Sequence, residues 1–388
     1  MLLGSIGSVG MWSVVIILPV IQAEFAVDRG TASIPYTLTM VGFALGNVIA
    51  GRFVDRWGIM VPMILAGLAL GLGFILAAST TALWQFALIQ GLLVGMGTAV
   101  TFGPLISNIS HWFRRRRGVA VAATAAGNYI GGAIWPIALQ SLVASYDWRV
   151  GYIVVGVICL VTMVPLAMLL RQPLPHSNHS GGLDDSLEAA RSRTIDLTPR
   201  KLQIMLAIAG IGCCMAMAMP QVHIVAYSVD LGYGVKHGAE MLSLMLAGGI
   251  FSRLASGFLA DYVGGVRTLM LGSILQCLAL LFYLPFDGLN ALYMISFGFG
   301  LAQGGIVPCY AIIVREYLPA HEAGERVGLV IMATIVGMAV GGWMSGWIYD
   351  ITGSYQAAFA NGVVWNLLNI SIFAVLLVRS RGTAYVRA

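Results

Sequence analysis

Residues 118–132 read GVAVAATAAGNYIGG, and residues 328–342, lying 210 positions later, read GLVIMATIVGMAVGG. Gly118, Ala123, Thr124, Gly127, Gly131 and Gly132 recur as Gly328, Ala333, Thr334, Gly337, Gly341 and Gly342. Glycine bias alone can give six identities in fifteen, so the surrounding sequence has to decide. Gly51-Arg-Phe-Val-Asp55 recurs as Gly257-Phe-Leu-Ala-Asp261 at an offset of 206, and Pro104 as Pro308 at an offset of 204. Three matches at nearly one offset describe a duplicated chain.

What is duplicated follows from composition. Of 388 residues 59% are hydrophobic and only 10% charged, too apolar for an ordinary soluble domain. The charges cluster between apolar runs of about 20 residues, the length that crosses a hydrocarbon core of about 30 Å. Lipid offers no partner to backbone N–H and C=O groups, so each run must be a helix. Twelve are expected: 2–22, 33–52, 59–79, 84–109, 118–143, 151–170, 202–228, 239–259, 268–285, 291–314, 327–349 and 357–378. The first run is too long, and lacks the basic start, for a cleaved signal peptide. Each repeated motif sits on the same ordinal helix of its half. The expected fold is therefore an all-α membrane protein of two pseudo-symmetric six-helix bundles, 1–170 and 202–388, joined by a polar linker, 171–201. A short helix at 183–190 is the alternative to a flexible linker there. With six helices per half the repeats share one orientation, the parallel arrangement of carriers whose site lies between the halves near the midplane.

The net charge of +5 is topological and implies no nucleic acid. With the N-terminus placed in the cytoplasm, the inner loops hold seventeen basic residues, including Arg52, Arg56, Arg114 to Arg117, Arg267 and Arg326. The outer loops hold three: Arg29, Arg149 and Lys236. This is the bias of the positive-inside rule, and it expects both termini in the cytoplasm and the chain in a bacterial inner membrane. Cys159, Cys213, Cys214, Cys277 and Cys309 all fall in apolar runs without metal-ligand spacing and read as small buried hydrophobes.

Gly51-x-x-x-Asp55-Arg56-x-Gly58 resembles the signature between the second and third helices of major facilitator transporters. The resemblance implies a gate closing the cytoplasmic ends: Gly51 for close contact, Asp55 accepting from a helix N-terminus, Arg56 adding an ion pair. In the second copy Gly257, Asp261 and Arg267 stand at equivalent places. The family's further basic residue is Met60 here, so one gate contact is missing. His111-Trp-Phe-Arg-Arg-Arg-Arg-Gly-Val-Ala120, with Gly127-Asn-Tyr-Ile-Gly-Gly132, resembles the helix four to five region of monocarboxylate porters and oxalate:formate antiporters. Glu24-Phe25 with Asp28-Arg29, and the stretch from His223 through Arg253 to Asp261, are also similar to that branch.

Arg253 stands out physically as well. It lies eight residues before Asp261, about 12 Å from the helix end at 1.5 Å per residue. A guanidinium at that depth costs about 2.5–3.5 kcal/mol on insertion scales, and no Asp or Glu lies centrally in any helix. Either a substrate carboxylate is the counter-ion, or Arg253 pairs structurally with Glu240 or a backbone carbonyl. The resemblance implies the first, since that branch carries an anion-binding arginine in its eighth helix. It also places an acidic or amide residue one turn earlier, where this chain has Gly249. His223 is then the remaining candidate for proton coupling, with a hydrogen-bonded structural histidine as the alternative. Asn47, symmetry-related to Arg253, and Asn128, Tyr129, Gln303 and Tyr310 are polar candidates for the cleft, or else helix–helix contacts.

A membrane enzyme is excluded by the lack of any catalytic triad, phosphate loop or paired-histidine metal motif, and an ATP-driven pump by the same lack. A channel or receptor would leave the parallel repeat unexplained. The expectation is a cofactor-free secondary transporter, not an enzyme, functioning as a monomer in the bilayer. Its substrate is a small organic anion, first of all a monocarboxylate, with protons as an open coupling partner. The alternative is an efflux carrier for drugs or other uncharged or amphipathic metabolites.

Overall fold

A computed structural model describes residues 1–112, 117–171, 194–195, 197–318 and 322–381. The side chains at positions 55, 107, 110–112, 117–122, 194, 195, 323 and 381 fall outside the description. Eleven described stretches are long and apolar enough to cross a membrane. They are α1 (Leu2–Glu24), α2 (Arg29–Val54, its helix running on to Trp57), α3 (Met60–Ala78), α4 (Leu83–Ile106), α6 (Trp148–Met168) and α7 (Pro199–Asp230), then α8 (Gly234–Val263), α9 (Gly265–Phe282), α10 (Leu289–Tyr317), α11 (Gly324–Thr352) and α12 (Tyr355–Arg379). The 29-residue helix α5 (Arg117–Ser145) completes twelve. The expected linker helix at 183–190 and the cluster Arg114 to Arg116 lie outside the described residues. Thr194 and Ile195 form a two-residue antiparallel ladder with Arg381 and Ser380.

Besides a one-residue turn at Ser8 in α1, two expected helices prove broken. The runs 84–109 and 291–314 were expected to be continuous, but α4 turns at 101–102 and α10 at 304–305. The reason is the repeated proline. Pro104 and Pro308 lack the N–H that would reach the carbonyls of Val100 and Gly304 four residues earlier, so both helices open there. Duplication is equally plain at the helix ends. Gly58 and Gly264, 206 positions apart, close α2 and α8 with φ of 72° and 88°, a backbone that L side chains rarely adopt.

The glycine-rich repeat does the same packing in each half. A side chain at Gly127 or Gly131 would strike Met1 or Ser5 and Ser8 of α1; one at Gly337 or Gly341 would strike Ile211 and Met215 of α7. Only a missing Cβ permits that approach. Gly132 faces Leu246 of α8, and Gly342 faces Tyr36 of α2. The seam between the halves is thus built chiefly on two related helix pairs, α5 with α8 and α2 with α11, with a smaller contact of α1 on α7. At its Arg29 end it is closed, with Thr37 donating to the Ala339 carbonyl at 3.1 Å. Toward the end carrying the basic loops it parts, where a side chain at Gly51, Gly257 or Gly328 would meet nothing within 4 Å. All five cysteines are buried and unbridged.

Candidate functional site

Arg253 emerges from α8 where the seam is about to part. Its guanidinium lies 4.4 Å from the centre of the Tyr129 ring of α5, a cation–π stack. Nε donates to the Gly304 carbonyl at 3.2 Å and Nη1 to the Ala125 carbonyl at 3.3 Å. The first of these acceptors exists because of Pro308: the break in α10 leaves the Gly304 carbonyl without its helical partner. The second belongs to the other half, so Arg253 bridges the two. No carboxylate pairs with it among the described residues. Glu240, the carboxylate considered for that role, instead meets His237 and the Tyr293 hydroxyl at the Arg29 end of α8 and α10. The alternative of a backbone-carbonyl partner is therefore realised, but both acceptors are neutral and Nη2 is left over. Half-buried, the guanidinium keeps one edge for an anion.

Gly249 explains why the residue one turn before Arg253 is so small. A Cβ there would collide with the Tyr129 ring, so the space given up by α8 is filled by an aromatic from α5. Close by, the Gln221 amide of α7 donates to the Gln303 side-chain oxygen at 2.9 Å. Ser252 accepts from the Gly305 N–H at the break.

The other expected cleft residues separate into groups. Asn128 is buried on α5 beside Tyr129. Asn47 bonds the Phe43 carbonyl of its own helix at 2.8 Å, and its amide oxygen fills the space a side chain at Gly103 would need. It thus faces the break in α4, as Arg253 faces the break in α10. Tyr310 requires a correction. It is fully buried inside the second bundle, where its hydroxyl donates to Asn369 of α12 at 3.0 Å, a helix–helix contact rather than a cleft group. Of the gate residues, Gly51 and Gly257 face open space, Gly58 ends α2 at positive φ, and Arg56 lies over Trp57. Asp261 and Arg267 are exposed on the same side, and the Asp55 side chain lies outside the description.

Sequence reasoning missed the opposite side. Arg29, one of only three basic residues on that face, is 6% exposed. Its two terminal nitrogens grip the Asp230 carboxylate of α7 at 3.0 Å each, Nη1 also reaches the Tyr355 hydroxyl at 2.6 Å, and Nε reaches Gln22 at 2.5 Å. Its guanidinium lies over Tyr349 at 4.6 Å. The Asp350 carboxylate takes the N–H groups of Arg29 and Gly30 at 2.8 and 2.6 Å, at the start of α2, where the helix dipole favours an anion. His223 joins this lock, with Nδ1 2.9 Å from the Tyr355 hydroxyl and Nε2 2.7 Å from the Gly342 carbonyl. Asp28 caps the same helix start, and the Thr31 hydrogen bonds hold its carboxyl below the usual range. A scarce outer arginine beside a helix start was the one available signal.

The chain has relatives among known proteins. Residues 1–289 and 205–386 match the family model described as Major Facilitator Superfamily. Monocarboxylate transporter 13 of Bos taurus is 28% identical over 330 residues, covering 84% of this chain and 75% of that protein. The agnestins efflux protein AgnL12 of Paecilomyces divaricatus is 23% identical over 360 residues, 92% of this chain and 80% of that one. Among solved structures, a bacterial homologue of the human lysosomal transporter Spinster, inward-facing and occupied, superposes with a TM-score of 0.76. It is 13% identical, and the match covers 99% of this chain and 97% of that one.

Proposed function

We propose that this chain, which belongs to the major facilitator superfamily, moves a small organic anion, above all a monocarboxylate, across the membrane by alternating access. One observation carries the reading. Arg253 stands at the junction of α5, α8 and α10 with its face on Tyr129, two N–H groups on neutral carbonyls, and no carboxylate beside it among the described residues. A cation at that depth is costly, and a carboxylate arriving along its remaining edge completes the charge balance with a charge-assisted hydrogen bond. The Ala125 carbonyl and Tyr129 belong to the first half and Arg253 to the second. Occupancy of the guanidinium therefore changes how strongly the halves are tied.

By the positive-inside rule the Arg29 face is the outer one, so the closed outer seam and parted inner seam describe a carrier open to the cytoplasm. Asp55 and Asp261, with Arg56 and Arg267, are then the groups that close the inner face in the other state. The chain works as a monomer in a bacterial inner membrane.

Uptake of labelled short monocarboxylates by proteoliposomes tests the assignment. A hydrogen bond to a charged group is worth about 1.5–3 kcal/mol, so Arg253→Gln is expected to lower apparent affinity about tenfold to a hundredfold. Arg253→Lys, which keeps charge but loses the planar fork, is expected to fall between. Undiminished transport by both variants would refute the role. A second reading, export of amphipathic metabolites, has the likeness to AgnL12 in its favour. It calls for transport of an uncharged solute that is indifferent to Arg253.

A further inference from the structure

The direction of each hydrogen bond around His223 is set by what its neighbours are able to give. The Gly342 carbonyl only accepts, so Nε2, at 2.7 Å, carries a proton. The Tyr355 oxygen already receives the Arg29 Nη1–H at 2.6 Å. Its own hydrogen must go to a free acceptor, and Nδ1 at 2.9 Å is that acceptor. One chain of donors therefore runs Arg29 to Tyr355 to His223 to Gly342, and it joins α2 of the first half to α12, α7 and α11 of the second. It closes only around a neutral imidazole.

A second proton on the ring would fall on Nδ1. Tyr355 would then face two donors, with its own hydrogen left without an acceptor, and the imidazolium would sit one hydroxyl away from Arg29. The carboxylates nearest the ring are already engaged. Asp230 of α7 is held at both oxygens by Arg29, and Asp350 of α11 by the N–H groups of Arg29 and Gly30. Tyr227 of α7, Tyr349 of α11, Tyr355 of α12 and Tyr36 of α2, which packs across Gly342, are phenols that stay neutral at physiological pH.

We propose that His223 is a proton-binding site whose occupation favours opening of the Arg29 face: uptake of a proton at Nδ1 breaks the Tyr355–His223 hydrogen bond, so that the tie of α2 to the second half rests on Arg29–Asp230, Asp350 and Thr37 alone. No covalent bond is made or broken; the remaining Arg29–Asp230, Asp350 and Thr37 contacts give way as the face opens. The closed arrangement holds one proton fewer than the open one at this ring, so acid favours opening. The ratio of open to closed forms rises by up to about tenfold per pH unit below the ordinary imidazole value of about 6.5. The proton and the side exposed to solvent are thereby linked reciprocally. The site is independent of Arg253, and its test needs no substrate.

Spin labels on cysteines introduced at Thr81 and Asp287, exposed loop positions on the Arg29 side of the two halves, report the opening in the full chain in lipid nanodiscs. Wild type is expected to gain a longer-distance population between about pH 8 and about pH 5.5. His223→Gln, whose amide still gives to Gly342 and takes from Tyr355, is expected to hold the short distance throughout. His237→Gln, altering the half-exposed histidine of the same face, is expected to titrate like wild type. A wild type without pH response, or an unchanged response in His223→Gln, would overturn the proposal. If His223→Gln does not fold, Tyr355→Phe serves instead. It is expected to open the face already at about pH 8, and closure with the full wild-type response would equally overturn the inference.

Discussion

At the scale of single residues, the least replaceable position beside Arg253 is a glycine. Gly249 cannot gain a side chain without moving the Tyr129 ring that lies against the guanidinium. Gly249→Leu is therefore expected to cost both the stack, about 0.5–2 kcal/mol, and the position of Arg253. Its apparent affinity for carboxylate should fall at least several-fold in proteoliposome uptake, while Gly248→Ala, on the other side of α8, should not act through Tyr129. Arg253 itself was legible because a charge inside an apolar run has no innocent explanation in lipid. Tyr129 was only one of several polar candidates, since an aromatic reads the same whether it meets a lipid, a helix or a guanidinium. Tyr310 shows the limit most clearly: it sits on a helix beside the cleft, yet its side chain is buried in its own bundle against Asn369.

Helices were legible one by one, because about 20 apolar residues can do little else in a bilayer. Their interruptions were not. Pro104 and Pro308 marked the repeat, but prolines occur within other spans here without a break, including Pro136 and Pro220. Whether a helix opens depends on who takes the freed carbonyl, and at Gly304 the taker is Arg253, 51 positions away. Pro308→Ala restores the missing donor. It is expected to straighten α10, to remove one anchor of Arg253 worth about 1 kcal/mol, and to raise the substrate concentration for half-maximal uptake by roughly fivefold in a folded protein. Close packing makes the matching expectation for the repeat. Gly131→Val and Gly341→Val, each forcing a side chain into a backbone of its own half, should lose about 1–3 kcal/mol apiece, seen as lowered thermal stability in detergent and to a similar degree in both.

For the molecule as a whole, duplication was readable and the state was not. One sequence encodes both closures, so no pattern could say which face would be found shut. The lock at the Arg29 face joins residues 201 and 326 positions apart, beyond the reach of any local spacing. Asymmetry between the halves is its counterpart: scaffold, breaks and helix ends repeat, whereas Arg253 answers to Asn47 and the outer lock has a single arginine. Arg29→Ala leaves Asp230 without its partner, and breaking a buried pair in this way costs about 3–5 kcal/mol. The spin-labelled outer face is expected to stand mostly open in that variant, with partial reclosure in Arg29→Lys. Anion transport through this cleft turns on a carboxylate meeting Arg253, which binding to the purified carrier tests without any assumption about coupling or direction. Thermal stabilisation is measured for wild type and Arg253→Gln with a series of short, branched, hydroxy- and aromatic monocarboxylates and their neutral amides. Stabilisation of wild type by at least one acid, not by its amide, and lost in Arg253→Gln, is the expected result; equal stabilisation by acid and amide, or full retention in Arg253→Gln, would contradict it.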